Sequence, residues 1–213
     1  MSTRRSPQIS SRKSPRQARS TELVAAVLQA AVQVLAEGGT ERFTMARVAE
    51  RAGVSVGSLY QYFPNKAALL FRLQSDEWKE TTALWADILG DADAPPLERL
   101  RGLVHAFLRT ECDEAQVRTA LRDAAPAYRE APEAEEATAT ARAALKRFVV
   151  EVLPAAPERT RALVGDVLTT TLSAVGEEFS ERLRTEEEIT AYADAVADMV
   201  CAYLREVGTK KES

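Results

Sequence analysis

The chain is expected to be all-α, and three observations carry that expectation. Apolar residues recur at helical spacing through most of it, and no stretch alternates apolar with polar over the length of a strand. Alanine, leucine, glutamate and arginine, all strong helix formers, dominate the composition. At 213 residues the chain can hold one or two domains with a sizeable core. Net charge is −4, but it is unevenly placed: residues 1–75 contain 11 Lys+Arg against 4 Asp+Glu, and the remainder is acidic. A basic first third suits a head that faces a polyanion, on a body that avoids one.

Residues 1–19 hold Arg4, Arg5, Arg12, Lys13, Arg16 and Arg19 among serines and prolines, with no acid. Such a segment cannot bury enough apolar surface to offset its ordering entropy, so a disordered basic arm is expected. It serves either as an arm reaching phosphates or the minor groove, or as a solvated tail. The first helix spans about Thr21 to Glu37 and buries Val24, Val27, Ala31, Val34 and Leu35. Gly38 and Gly39 stop it.

Thr44 to Lys66, TMARVAERAGVSVGSLYQYFPNK, is the stretch richest in local chemistry. Thr44 can cap a short helix with Val48, Ala49 and Ala52 on one face. Gly53 accepts the left-handed backbone of a tight turn, Val54 can plug the corner, and Ser55 can cap a second helix to Phe63. Helix, glycine corner, helix is the pattern of a DNA-binding helix-turn-helix. On the second helix, Leu59 and Phe63 share the inward face with Val56 and Tyr62 at its edges. Gly57 and Gln61 point outward, flanked by Ser58 and Tyr60. Glycine inside a helix costs about 1 kcal/mol relative to alanine, which a close approach to DNA would offset. Lys66 opens the next helix after Pro64 and the cap Asn65, where a bound phosphate would be favoured. The residues alone also fit two core helices and a surface lysine.

AAVQVLAEGG followed by FTMARVAERAGVSVGSLYQYFPNKAALL, from Ala26 to Leu70, closely resembles the N-terminal domain of the TetR family of bacterial transcriptional repressors. The resemblance implies that Thr44, Tyr60, Tyr62 and Lys66 hold phosphates and that Val56, Ser58 and Gln61 can face base edges. It covers about a quarter of the chain, so ligand identity does not carry over. The implied domains are the arm at 1–19, the helix-turn-helix domain at 20–66, and an effector-binding and dimerisation domain at 67–213.

The fourth helix is expected from Lys66 to about Leu89. Leu69, Leu70 and Leu73 belong to the head, while Trp78 and Trp85, seven apart, point together into the body. DADAPP breaks the pattern. A helix from about Leu97 to Cys112 buries Leu100, Val104, Phe107 and Leu108. Arg101, His105 and Arg109 line another of its faces, where His105 is a ligand contact, a pH-sensitive group or a partly exposed histidine between arginines. A shorter helix covers about Glu114 to Ala124, and Pro126 and Pro132 bracket a connection containing Tyr128. The next, about Glu133 to Leu153, buries Ala141, Leu145, Phe148, Val149 and Val152 before Pro154 ends it. Two long helices close the chain, roughly Glu158–Leu183 and Glu186–Val207. Leu163, Val167, Leu168, Thr171, Val175 and Phe179 form the stripe of the first. Ile189, Val196 and Tyr203, with Tyr192, Met199 and Val200, form a heptad-like seam on the second. Periodicity does not say which chain supplies the other side of that seam. The resemblance implies a four-helix bundle with a second copy, through Phe179, Ile189, Tyr192, Val196, Met199, Val200 and Tyr203.

Two distant cysteines and one histidine exclude a disulfide framework and the usual zinc spacings. No catalytic set, phosphate-cradling glycine loop or metal cluster is present, so no enzyme, cofactor or metal is expected. Apolar runs fall short of the roughly 20 residues of a membrane span, and the N-terminus lacks the apolar core of a secretory signal. A cytoplasmic protein with no membrane partner is expected. The reading is a homodimeric, sequence-specific DNA-binding regulator, a repressor released from its operator by a largely apolar small molecule. Trp78, Trp85, Phe107, Tyr128, Phe148 and Thr171 are the candidate lining of that effector site, each of which is otherwise plain core. The alternatives are a helical small-molecule-binding protein or enzyme, and a DNA binder without an effector.

Overall fold

The computed structural model describes residues 18–209 apart from Ala127, and every regular element among them is helical. The basic arm, apart from its last two residues, lies outside the described residues. α1 (Ala18–Arg42) bends at Gly39, whose φ of 60° and ψ of −167° interrupt the helical backbone where the glycine pair was expected to stop it. All five stripe residues of α1 are buried. Contrary to the reading of apolar runs, Ser20–Arg42 is long and apolar enough to cross a membrane. Its inward stripe is core of the head, while Glu22, Gln29, Gln33 and Glu37 face outward.

α2 (Met45–Arg51) and α3 (Val56–Tyr62) follow, then α4 (Lys66–Gly90), α5 (Pro96–Ala124), a 3-10 turn at Tyr128–Glu130, α6 (Pro132–Val152), α7 (Glu158–Phe179) and α8 (Glu186–Thr209). Proline stands first in α5 and α6, where its missing N–H has no intrahelical partner to lose. Thr185 and Glu188 form a reciprocal capping box at the start of α8, through bonds of 2.8 and 3.2 Å.

The residues pack as two compact units, one running to Trp78 and taking in Glu114–Glu135, the other Lys79–Asp113 with Glu136 onward. In the first, α1, α2, α3 and the start of α4 surround Val27, Leu35, Phe43, Val48, Leu59, Phe63 and Leu70. Inside the same unit Gln74, 1% exposed, donates its amide N–H to the buried carboxylate of Glu114. The second unit is centred on Leu100, Leu108, Phe148, Leu168, Ala197 and Leu204. There Arg99, 5% exposed, donates to Leu89 O at 2.5 Å and to the Glu151 carboxylate, and lies over the Phe148 ring. Arg101 and His105 of α5 pair with Asp194 and Asp198 of α8, and Arg109 with Glu186.

Four further expectations are corrected. α5 is continuous where two helices were expected, because Cys112-Asp113-Glu114 contains neither proline nor glycine to break it. α7 ends at Phe179, which leaves Leu183 off the helix and 93% exposed. Its buried stripe is Val164, Leu168, Leu172, Gly176 and Phe179, whereas Leu163 and Val167 are 59% and 37% exposed. Apolar residues at both 163/167 and 164/168 offer two stripes one residue apart. Gly176 fits the observed one, since a Cβ there would lie 2.6 Å from Phe107 and 2.8 Å from Glu111. Finally, Trp78 and Trp85 do not share a cluster. Trp78 stacks on Tyr128 in the first unit, and Trp85 meets Phe107 edge-on in the second.

Candidate nucleic-acid interface

The head is assembled from local bonds the sequence supplies. Thr44 accepts the Arg47 N–H at 3.3 Å and starts α2, whose Met45, Val48 and Ala49 are buried. At its end Gly53 has φ 66°, and two bonds close the turn, Gly53 N to Glu50 O at 3.1 Å and Val54 N to Ala49 O at 3.0 Å. That is the Schellman arrangement, with Val54 packed on the core behind it. Ser55 then accepts the Ser58 N–H at 3.0 Å, and the two hydroxyls lie 2.8 Å apart. α3 buries Leu59 completely, with Phe63 just past its end. Asn65 caps α4 by accepting the Ala68 N–H at 2.8 Å.

The outward face of α3 carries Gly57 and Gln61, both exposed, with Val56 40% and Tyr60 42% exposed beside them. Nothing among the described residues asks for glycine at 57. Its φ is not in the left-handed region, and a Cβ there would meet only the Ser55 hydroxyl, 3.8 Å away. The other candidates are less free. Ser58 is half-buried and engaged with Ser55, and Tyr62 is 8% exposed against the core of the head. Lys66 is half-buried, its Nζ donating to Thr40 O at 3.1 Å and standing 5.3 Å from the centre of the Phe43 ring. Thr44 is exposed at the mouth of α2.

A brace that sequence reasoning missed ties α2 to α1. Arg51 forks onto the two oxygens of Glu37 at 2.8 and 2.5 Å and reaches Gln33 at 3.3 Å. The Arg51 hydrogen bond holds the Glu37 carboxyl below its ordinary range, and Glu37 in turn raises Arg51. Its members are too far apart in the chain for any local pattern to reveal it.

The other candidate residues divide. Trp78 and Tyr128 stack with ring centres 6.2 Å apart in the first unit. Trp85, Phe107 and Phe148 belong to the second, with Thr171 half-buried on α7. The Trp85 indole N–H is buried with no hydrogen-bond partner among the described residues. Of the seven dimerisation candidates, Phe179, Ile189, Val196 and Val200 are already buried within the chain's own core. Tyr192 and Met199 remain 38% and 49% exposed, and Tyr203 is half-buried. On α7 and α8 the outward apolar surface includes Leu163, Val167 and Ala174 with Tyr192, Ala195 and Met199.

Two capped helices around a glycine turn, at the front of an otherwise helical chain, define a helix-turn-helix protein with a helical body. The model of the family described as "Bacterial regulatory proteins, tetR family" matches residues 27–73, and that of "Tetracyclin repressor-like, C-terminal domain" matches residues 95–207. The chain belongs to the tetR family, whose members are transcriptional regulators and not enzymes. It is 38% identical over 78 residues to the HTH-type transcriptional repressor KstR of Mycobacterium tuberculosis, 37% of this chain and 35% of that protein. The match thus spans about a third of that curated relative. The fold is shared with the fatty acid degradation regulator FadR of Bacillus halodurans (TM-score 0.64, 21% identity, 86% of this chain and 96% of that one). It is also shared with FadR of Bacillus subtilis in complex with stearoyl-CoA (TM-score 0.63, 17% identity, 84% and 97%).

Proposed function

We propose that this chain is a homodimeric, sequence-specific DNA-binding repressor, released from its operator by a small, largely apolar effector, and that it works in the cytoplasm. The observation that carries the reading is the outward face of α3, where an exposed helical glycine that the fold does not need stands beside Gln61 and Tyr60. Gln61 has the donor–acceptor pair that grips an adenine edge in the major groove, with Val56 and Ser58 at its flanks. Thr44 and Tyr60 hold phosphates and so set register without reading sequence, with Tyr62 and Lys66 bordering them. In this reading residues 1–19 are a basic arm, 20–66 the DNA-binding domain and 67–213 the effector-binding and dimerisation domain.

The second copy covers the outward faces of α7 and α8. Leu163, Val167 and Met199 are exposed in the single chain, and full burial of each is worth roughly 1.5–3 kcal/mol. For the effector, the unpaired Trp85 N–H is a buried donor, and a buried donor left unmet costs about 1–3 kcal/mol. An apolar molecule carrying a carbonyl or carboxylate beside Trp85, Phe107 and Phe148 would meet it. Stearoyl-CoA in Bacillus subtilis FadR is of that chemistry. Linkage gives the mechanism: an effector that prefers a conformation poor at binding DNA must weaken DNA binding by the factor by which DNA weakens effector binding. That coupling is typically about 1–3 kcal/mol.

The test is fluorescence anisotropy of the purified protein on the DNA that lies beside its own coding sequence, against a scrambled duplex. Preference for the native DNA, lowered by an acyl-CoA that also raises Tm, is the expected result. Equal affinity for both duplexes would sink sequence-specific binding, and no ligand-induced shift in Tm or affinity would sink the effector.

A further inference from the structure

We propose that α3 reads A·T pairs and that Val56 carries half of that reading, its exposed isopropyl group lying against the 5-methyl of a thymine about two base steps from the adenine gripped by Gln61. The inference rests on the reading of α2–α3 as the DNA-binding element and goes on to name the bases.

The major groove distinguishes its pairs by few groups. Guanine shows two acceptors, which arginine or lysine meets, and cytosine shows an amino donor, which a carboxylate accepts. Adenine shows a donor beside an acceptor, which an amide matches, and thymine shows a methyl group, which an apolar side chain matches. α3 reads VGSLYQY, so it holds neither cation nor carboxylate with which to read a G·C pair. The arginines of α2 face Glu37 of α1 instead. Arg51 forks onto it, and Arg47 lines the same hollow between the two helices.

The fold narrows the readers on α3 further. Leu59 is fully buried, Tyr62 is 8% exposed, and the Ser58 hydroxyl is engaged with that of Ser55 at 2.8 Å. Val56, Tyr60 and Gln61 are the side chains left exposed. A phenol hydroxyl both donates and accepts, so Tyr60 separates the bases poorly and suits a phosphate. Val56 has nothing polar to offer. Pressed against a polar base edge it would strip water from a donor or acceptor and return nothing, whereas against a thymine methyl it removes two apolar groups from water together. Gly57 makes the contact reachable for so short a side chain, since it adds no Cβ to hold the backbone away from the groove. Val56 and Gln61 are five residues apart, a rise of about 7.5 Å along α3, and base pairs stack about 3.4 Å apart. The two contacts therefore fall about two steps apart in each half-site.

The experiment begins with selection. The full chain retains duplexes from a random pool over successive rounds of gel shift, and the enriched site is resynthesised with each thymine in turn replaced by deoxyuridine, which lacks only the methyl. Affinities of the wild-type chain, Val56→Ala and Gln61→Ala are read by fluorescence anisotropy. The expected half-site has one A·T pair that Gln61→Ala relaxes and, about two steps away, another that Val56→Ala relaxes. Deoxyuridine at the second should weaken the wild-type chain about 3- to 5-fold, as one methyl group returned to water requires, and should leave Val56→Ala unchanged. The deoxyuridine series on the wild-type chain needs no variant, so the absence of any sensitive thymine overturns the proposal by itself. A G·C pair at the position that Val56→Ala relaxes also overturns it, as does equal deoxyuridine sensitivity in wild type and Val56→Ala. In each of those cases the enriched site still upholds sequence-specific DNA binding. If no sequence is enriched, that reading fails, and the base assignment with it.

Discussion

The outward face of α3 and the outward faces of α7 and α8 are both left uncovered by the described residues, yet they are built in opposite ways. On α3 the exposed positions are Val56, Gly57, Tyr60 and Gln61, which offer one small apolar side chain, backbone approach, a hydroxyl and an amide. On α7 and α8 they include Leu163, Val167, Ala174, Tyr192, Ala195 and Met199, which offer mainly apolar area. A surface that must meet hydrated phosphates and base edges gains from small and polar groups, because binding there means exchanging one hydrogen bond for another. A surface that must meet its own copy gains from apolar area removed from water. The difference teaches that exposure alone identifies no partner. The chemistry of what is exposed does.

The sharpest way to break this comparison is to put a charge on each side of α8. Val196→Asp sets a carboxylate into the core, where an unpaired charge costs several kcal/mol, and should abolish the helical signal in circular dichroism. Leu163→Asp with Met199→Asp places the charges on the exposed face. That double variant should keep its helicity, sediment as a monomer, and bind DNA roughly 100-fold or more weakly, because a monomer engages one half-site only. A tight dimer in sedimentation velocity would show that this face is not the interface.

Smaller effects sharpen the α3 side. Gly57→Ala should stabilise the head by about 0.5–1 kcal/mol, since the added methyl has room, while weakening DNA binding by about 1–3 kcal/mol through crowding against the duplex. Denaturant melts and anisotropy on the same samples would reveal the opposite signs. Gln61→Ala should cost about 1–3 kcal/mol at one base position in each half-site and little elsewhere, as read from a panel of single-base operator variants. A uniform loss over the panel would assign Gln61 to holding and not reading.

The smallest effect concerns the Arg51–Glu37 brace. Glu37 has a lowered folded-state value, so its contribution is present above the ordinary carboxylate range and lost as pH falls through the lowered value. Arg51→Met should therefore reduce Tm slightly at neutral pH, and its Tm curve should converge on the wild-type curve in acid. Parallel curves across the acid range would show that the pair adds no pH dependence.

The frame of the head was legible in the sequence because its determinants are local. Thr44, Gly53, Ser55 and Asn65 each act within a few residues of themselves, and the caps and the left-handed turn sit where their chemistry places them. What was not legible depends on partners brought together by folding. Two apolar stripes on α7 differ by one residue, and the crowding of Gly176 against Phe107 that accompanies the observed one has no trace in α7 alone. The heptad spacing on α8 was real, yet Ile189, Val196 and Val200 face the chain's own core, because a repeat records that a helix is packed and not against what. Lys66 carries no sign in its neighbours that Thr40 and Phe43 surround it.

Gly57 also sets a hazard for anyone improving this protein by selection. A library sorted on heat tolerance or expression yield rewards any residue that firms up a seven-residue helix, and position 57 has both the backbone geometry and the room to accept one. Such a screen would enrich replacements there early and present them as successes. On the reading proposed for α3, the winners would be sturdier proteins with a blunted reading surface, so sorting for robustness has to be paired with sorting for occupancy of the target DNA. On the same reading, that tension would act in a natural population as it does in a screen.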